Sequence, residues 1–444
     1  MGIHKLKDGI LKKYYQQHYV PLYKFSGWKI AIDTSIWISK HKYKISELVV
    51  SKTENFVDNE IDKHQIRKIL FNNFRRHINK FLAFGITPIF VFDGKSPEAK
   101  NMEREKRKAD RLKLDTDTGD LRDKLSEIPQ VSRNPQDVTK LQTLLSRTYG
   151  RRDFEDTEGL QAILTAVGLP WLQATYEAEK LCSALARENK VAAVYSTDTD
   201  NLAHRCPFWI SDVTDCFDNS VGRAVAHAEL YIFTEVLQTL ELNADQFVEL
   251  CIVCGCDYNT HILRFTGLTA YKKYKECGSY YNLPFDKKDD CHNYQICMQE
   301  FAVCPSNSLT DVSTDELKIN KDMRSNMRNI LEQYTLETWI EELLSFYERI
   351  PEPIINVVFN PFPALISFGN LTPSPKIMLP QKTGMISQQR INKAVEEVTT
   401  DNYDSILKAA EDFSSNLSMI NTEIVDNTPS SNNNMQDLES FLML

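Results

Sequence analysis

This chain has no run of about 18 apolar residues, which leaves no candidate for a membrane-spanning helix. Its first residues lack the basic-then-apolar layout of a secretory signal. Position six is Leu6 rather than Ser or Thr, so Met1-Gly2-Ile3 is not read as a myristoylation site. Ten cysteines with no secretory signal suit reduced thiols in a cytosolic or nuclear setting rather than a disulfide framework. No internal repeat occurs. Over 444 residues, 42% of them hydrophobic and 25% charged, the chain can bury a large core, and one big domain with appendages is expected.

The formal charge of −9 is unevenly spread. Residues 396–444 hold ten acids and one lysine, so the rest is neutral on balance, while residues 1–80 hold sixteen Lys/Arg against seven Asp/Glu. A basic N-terminal portion beside clustered acids suits a protein that handles polyanions.

The acids fall in a pattern. Trp28-Lys-Ile-Ala-Ile-Asp33, Pro88-Ile-Phe-Val-Phe-Asp93 and Val191-Ala-Ala-Val-Tyr-Ser-Thr-Asp198-Thr-Asp200 are apolar runs ending in carboxylates. Glu177-Ala-Glu179 follows a fourth run, Gly168-Leu-Pro-Trp-Leu, and Asp257 closes an apolar helix. Such runs read as strands of a parallel sheet buried on both faces, whose carboxyl ends are where α/β folds place ligands. Two bare carboxylates about 4 Å apart repel by about 4 kcal/mol at an effective dielectric near 20. Seven acids in one crevice therefore require cations, and magnesium, a hard ion with oxygen ligands, is the natural candidate. At a strand end Asp198 and Asp200 project to the same side. Glu177 and Glu179 diverge if both are helical, so one belongs in the turn before the helix.

Residues 1–93 read as strand, helix, strand, with a crossover helix from about Ile66 to Phe84 ending at Gly85. A charged, helix-prone insertion, too polar for core, runs from about Lys95 to Glu158. The alternation resumes with helix Leu160 to Val167, helix Glu179 to Glu188, the strand before Asp198 and helix Asn243 to Cys256. Met323 to Tyr347 is helical by periodicity, 351–375 is punctuated by proline, and 412–434, rich in Ser, Asn and Asp, is expected to be disordered. Cys251, Cys254 and Cys256 have the look of a metal knuckle but lie in a helical pattern, where they read as small core hydrophobes. Cys277, Cys291, His292, Cys297 and Cys304 are irregularly spaced, and zinc there is the weaker alternative.

Within the insertion, Lys100, Arg104, Arg107 and Arg111 are spaced four, three and four and form one basic stripe on a helix. The competing reading is a solvated helix with pairs such as Glu103 to Arg107.

Taken in order, Met1-Gly2-Ile3, Ile32-Asp33-Thr34-Ser35, Phe92-Asp93-Gly94-Lys95-Ser96-Pro97, Glu177-Ala178-Glu179, Thr197-Asp198-Thr199-Asp200 and Gly255-Cys256-Asp257-Tyr258 resemble the successive blocks of the XPG/flap endonuclease superfamily, over about residues 1–280. The resemblance implies an α/β fold with a mostly parallel central sheet flanked by helices, a PIN-like nuclease core. It divides the chain into an N-terminal nuclease region (1–94), a helical arch (95–158), an internal nuclease region (159–258), a helix-turn-helix-like part (259–350) and a tail (351–444). It implies a structure-selective nuclease that cuts 5′ flaps, with 5′ exonuclease activity, in DNA replication, recombination or repair. Two magnesium ions, replaceable by manganese, are implied: Asp33, Asp93 and Glu177 nearer the first, Glu179 between, and Asp198, Asp200 and Asp257 nearer the second. Lys100 and Arg107 match basic residues that approach the scissile phosphate, Arg104 and Arg111 extend the track, and Gly2 lies near DNA.

The sequence departs from the family where a Gly-x-Gly loop and its monovalent cation would hold duplex phosphates. Leu263-Arg-Phe-Thr-Gly267-Leu-Thr-Ala-Tyr-Lys272-Lys273 keeps one glycine, and Lys272, Lys273 and Lys275 are candidate replacements. At the C-terminus, Met435, Leu438, Phe441 and Leu442 resemble a degenerate sliding-clamp-binding box. Branched DNA, a sliding clamp and no membrane are the expected partners, and the expected protein is a monomer in the nucleus, a host nucleus if a large DNA virus encodes it, with the cytoplasm as alternative. The rival readings are a 5′→3′ exoribonuclease and a branch-binding scaffold without turnover.

Overall fold

The computed structural model describes residues 2–350 apart from 219–222, 260–265, 285–292, 304–311, 314 and 322–323. Seven strands form one sheet: β1 (His18–Pro21), β2 (Lys29–Asp33), β3 (Thr87–Phe92), β4 (Trp171–Gln173), β5 (Ala193–Tyr195), β6 (Phe208–Asp218) and β7 (Arg223–Ile232). Their order is β1-β7-β6-β5-β2-β3-β4. The segment β6-β5-β2-β3-β4 is parallel, and β7 and β1 add an antiparallel flank.

The apolar runs explain the parallel part. Along β2 and β3, Ala31, Ile89 and Val91 face one core layer, whereas Ile30, Ile32, Phe90 and Phe92 face the other. Each strand is thus buried on both faces, as continuous apolar runs require. Between β2 and β3 lie two helices, Thr34–Lys52 and Lys63–Ala83, where sequence periodicity marks only the second. The first was hidden because its buried face includes Thr34, Ser35, Lys42 and Ser46, which blur the apolar stripe.

The insertion forms helices Asn101–Ser126 and Pro135–Tyr149. It is not wholly polar, because Leu125, Leu141 and Leu145 are buried in the second core layer. Three apolar positions spaced along otherwise charged helices are enough to dock them. Helix Phe154–Ala166 follows, opened by a reciprocal capping box between Asp153 and Asp156. Cys251 and Cys254 sit fully buried in helix Ala244–Cys254, with no exposed ligand face. The hairpin β6–β7 was not legible, since its alternation is broken by acids and by a register shift between Ile210 and Asp212.

Candidate active site

Strand order decides which acids meet. β5, β2, β3 and β4 are neighbours in the sheet, so the carboxyl ends that lead to Asp198, Asp33, Asp93 and Glu177 stand side by side. Asp33 is the last residue of β2 and caps the next helix, accepting a hydrogen bond from the Ile36 amide at 3.2 Å. Ser196 Oγ donates to its other oxygen at 3.0 Å. Asp93, one residue past β3, accepts from the Ala178 amide at 3.1 Å, and its own amide donates to Ser35 Oγ. Glu177 is the extended N-cap residue of helix Ala178–Arg187 and Glu179 lies in its first turn, as the spacing of the pair demanded.

Asp198 and Asp200 reach the same place by a different route from the expected one. β5 ends at Tyr195, so neither is in a strand. Asp200 opens the short helix Asp200–Ala203, and its amide donates to Asp198 Oδ1 at 3.1 Å. A turn stabilised by a side chain, rather than strand alternation, aligns them. Asp257 lies in the chain just past helix Ala244–Cys254, beyond Gly255 at φ 98°. That left-handed glycine redirects the chain into the crevice.

The insertion supplies cations. Lys100, 7% exposed, ends the short 3-10 turn Glu98–Lys100 and hydrogen-bonds Glu177 Oε1, with Asp257 Oδ2 at 3.1 Å and Glu179 Oε1 at 3.8 Å. Arg107 donates to Asp257 Oδ2 at 3.0 Å and to Glu103 Oε1 at 2.8 Å, the second being the intrahelical pair that the spacing of the two residues predicts. Arg104 and Arg111 continue the stripe on the exposed face. Arg152, which no motif flagged, donates to Asp93 Oδ2 at 3.1 Å, and the only sequence signal for it was the doublet Arg151-Arg152. Tyr258 donates to Glu177 Oε2.

Charge crowding leaves its mark on the acids. Burial, with Asp93 and Asp198 nearby, pushes Asp33 up to about 8. Burial and neighbouring carboxylates hold Glu179 and Asp200 well above the usual range, and burial raises Glu177 and Asp198. Asp257 is the exception: burial pushes it up, but Lys100 and Arg107 outweigh that and hold it low. Both carboxylate oxygens of Asp200 are buried without a hydrogen-bond partner. Among the described residues no three His, Cys, Asp or Glu side chains form a ready-made coordination shell. Instead the Lys100 ammonium stands among Glu177, Glu179 and Asp257, where a positive charge is needed. Partnerless buried oxygens and a lysine acting as internal counter-ion make a donor set that fits hard divalent cations.

Gly2, at φ 89°, lies against this cluster, and a Cβ there would overlap Asp198 Oδ1 and crowd Thr199. Gly267, at φ 54°, caps helix Leu268–Cys277 and touches Lys5 of the N-terminal segment. Lys272 is exposed, while Lys273 pairs with Glu276 and Lys275 with Glu241, both at 2.9 Å. Residues 260–265, and with them 263–265 of the altered stretch, lie outside the described residues, as do Cys291, His292, Cys304 and the clamp-box candidates Met435, Leu438, Phe441 and Leu442.

With this geometry in hand, residues 1–114 match the XPG N-terminal domain and residues 168–257 the XPG I-region. In both blocks the chain is similar to the XPG/flap endonuclease superfamily. The two matched blocks carry all seven carboxylates, and the gap between them is the segment from Asp115 to Val167 that completes the two insertion helices. Flap endonuclease 1 of Glycine max is 32% identical over 272 residues, 61% of this chain and 64% of the relative. Flap endonuclease 1 of Zea mays is 33% identical over 255 residues, 57% of this chain and 61% of the relative. The chain thus spans a little under two thirds of the length of these superfamily relatives. The solved flap endonuclease-1 from Methanococcus jannaschii shares the fold, with a TM-score of 0.50 at 19% identity, covering 77% of this chain and 99% of that one.

Proposed function

We propose that this protein is a member of that superfamily and a structure-selective, magnesium-dependent DNA endonuclease of the flap type. The observation that carries the reading is the convergence of seven carboxylates from separate segments on one crevice into which the insertion sends Lys100 and Arg107. Asp33, Asp93, Glu177, Glu179, Asp198, Asp200 and Asp257 would hold the divalent cations. When bound, those cations supply Lewis acidity that lowers the pKa of an attacking water and offsets charge on a phosphodiester.

The chain's own residues divide the remaining work. Asp200 offers two buried oxygens with no competing hydrogen bond. Ser196, through Asp33, and the Ala178 amide, through Asp93, fix the first two carboxylates in orientation. Lys100 and Arg107 are held in the crevice by ion pairs, so a phosphate arriving with cations can take over both side chains. Arg104 and Arg111 extend positive charge outward along the helix, a track for a single-stranded 5′ end. The expected partner is branched or flap DNA, and nuclear DNA processing is the setting its relatives suggest.

The decisive experiment incubates purified protein with labelled 5′-flap DNA, blunt duplex and single-stranded RNA, in magnesium or EDTA, beside Asp93→Ala and Asp198→Ala. Magnesium-dependent cutting of the flap that both variants abolish supports the reading. Cutting that persists in EDTA or in the variants contradicts the site, preferential RNA degradation favours the exoribonuclease, and binding without cutting favours the scaffold.

A further inference from the structure

Beside the carboxylate crevice lies a cavity of about 240 Å³ whose wall includes Trp171, Gln173, Tyr176, Glu177 and Lys180. Glu177 belongs to both, so whatever enters this cavity sits next to the reacting centre. Tyr176 is 47% exposed. Its ring and hydroxyl have no partner among the described residues, although its backbone is firmly held. The Tyr176 carbonyl accepts from the Gly94 amide at 2.6 Å, and the Thr175 carbonyl accepts from the Lys95 amide at 3.0 Å. Gly94 permits this approach, because a Cβ there would collide with the carbonyls of Ala174 and Thr175. An aromatic ring is therefore presented on a rigid backbone, one residue before a carboxylate of the site, with nothing stacked on it.

The other walls are suited to the same guest. Trp171 adds a second half-buried aromatic surface, its indole N–H already donating to Thr165 Oγ1 at 2.9 Å. Gln173 is fixed by donating to the Asp93 carbonyl and accepting from Gln161. Lys180 is neutralised by Glu300 at 3.3 Å. With its one lysine paired and Glu177 in the wall, the cavity has no free cation for a phosphate. A flat, uncharged aromatic guest fits it better.

We propose that this cavity is a stacking subsite for an unpaired nucleobase adjoining the bond to be cut, with Tyr176 as its platform. The proposal rests on the nuclease reading above and adds to it a residue that positions the strand by its base. Stacking on an aromatic side chain is tolerant of sequence, so the subsite would favour an unpaired nucleotide over a paired one without selecting a base.

The test uses the full chain with magnesium and a 5′-flap DNA carrying an abasic residue at each nucleotide flanking the cleaved bond in turn. Tyr176→Ala should raise KM about tenfold on the unmodified flap, the scale of one lost base stack, and Tyr176→Phe should match the wild type. One abasic position should erase the difference between Tyr176→Ala and wild type. With calcium replacing magnesium, 2-aminopurine at that position should be quenched on binding to wild type and not to Tyr176→Ala. An unchanged KM, a defect equal on every abasic substrate, or a loss confined to kcat overturns the subsite while leaving the nuclease reading intact. A wild-type protein that cuts no flap in magnesium overturns both.

Discussion

Two clusters of buried charge in this protein are built alike and finished differently. Under the insertion, Lys42 donates to Asp153 at 2.8 Å and to Asp156 at 2.5 Å, and Arg67 closes the group against Asp153, Asp156 and Glu155. Asp156 is fully buried, yet its oxygens are taken up by Lys42, Arg67 and the Asp153 amide. In the crevice, seven carboxylates meet Lys100, Arg107 and Arg152, and both oxygens of Asp200 have no partner. The first cluster is complete in itself and ties helix Thr34–Lys52 to the start of helix Phe154–Ala166. The second is left short of positive charge, a state folding alone would not select, because unpaired buried oxygens cost stability. Incompleteness of this kind marks the site as one meant to be completed from outside.

That contrast can be broken by experiment. The largest effect is expected at Asp200→Asn, which should lower flap cleavage by about three orders of magnitude or more, on the order of 4 kcal/mol of barrier, while leaving the metal-free fold as stable as wild type or more so. A stability loss, seen by chemical denaturation, would mean that Asp200 is structural after all. Lys42→Met should do the reverse: a loss of about 3–5 kcal/mol of stability from stranding Asp156, read from the same denaturation curves. Lys100→Ala should cost roughly 100-fold in kcat with a smaller change in KM, measured on the flap substrate.

The crevice should also make stability depend on pH. Asp33 rises from 3.8 to about 8 on folding, so the folded state holds a proton that the unfolded chain has released. The resulting stability is present below about 4 and is lost as pH climbs toward about 8. Thermal melts in EDTA should show Tm falling across that window, and saturating magnesium should flatten the slope. The smallest effect is expected at Glu103→Gln, which breaks a half-buried i,i+4 pair with Arg107 and should change stability by no more than about 0.5 kcal/mol.

Much of the site was legible before any coordinates. Asp33 and Asp93 follow apolar runs, and such runs announce strand ends on chemistry alone. Glu177 and Glu179 were separable into cap and helix by their spacing. Other parts were opaque for identifiable reasons. Asp198 and Asp200 obey a turn, and turn geometry depends on the Asp198 side chain accepting from a backbone amide rather than on periodicity. Arg152 acts across 59 residues of chain, so no local pattern could tie it to Asp93. Nothing in the local sequence pattern sets Tyr176 apart, and only the cavity beside Glu177 gives it a setting. Helix Thr34–Lys52 escaped notice because Lys42 and Ser46 on its buried face are satisfied by distant or backbone partners, which hydrophobic periodicity does not register.

By itself the sequence determined the buried parallel strands that carry the site and the identity of the acids: runs apolar enough to be buried on both faces must become strands, and carboxylates that follow them must lie near the sheet's carboxyl edge. Only the tertiary structure decided how those acids are neutralised. That Lys100, rather than Arg104 or Arg111, stands among Glu177, Glu179 and Asp257 follows from where the insertion docks its Leu125, Leu141 and Leu145 into the core. Charge pairing falls off within a few ångströms, so it is set by the packing of segments far apart in the chain, which spacing along the sequence does not encode.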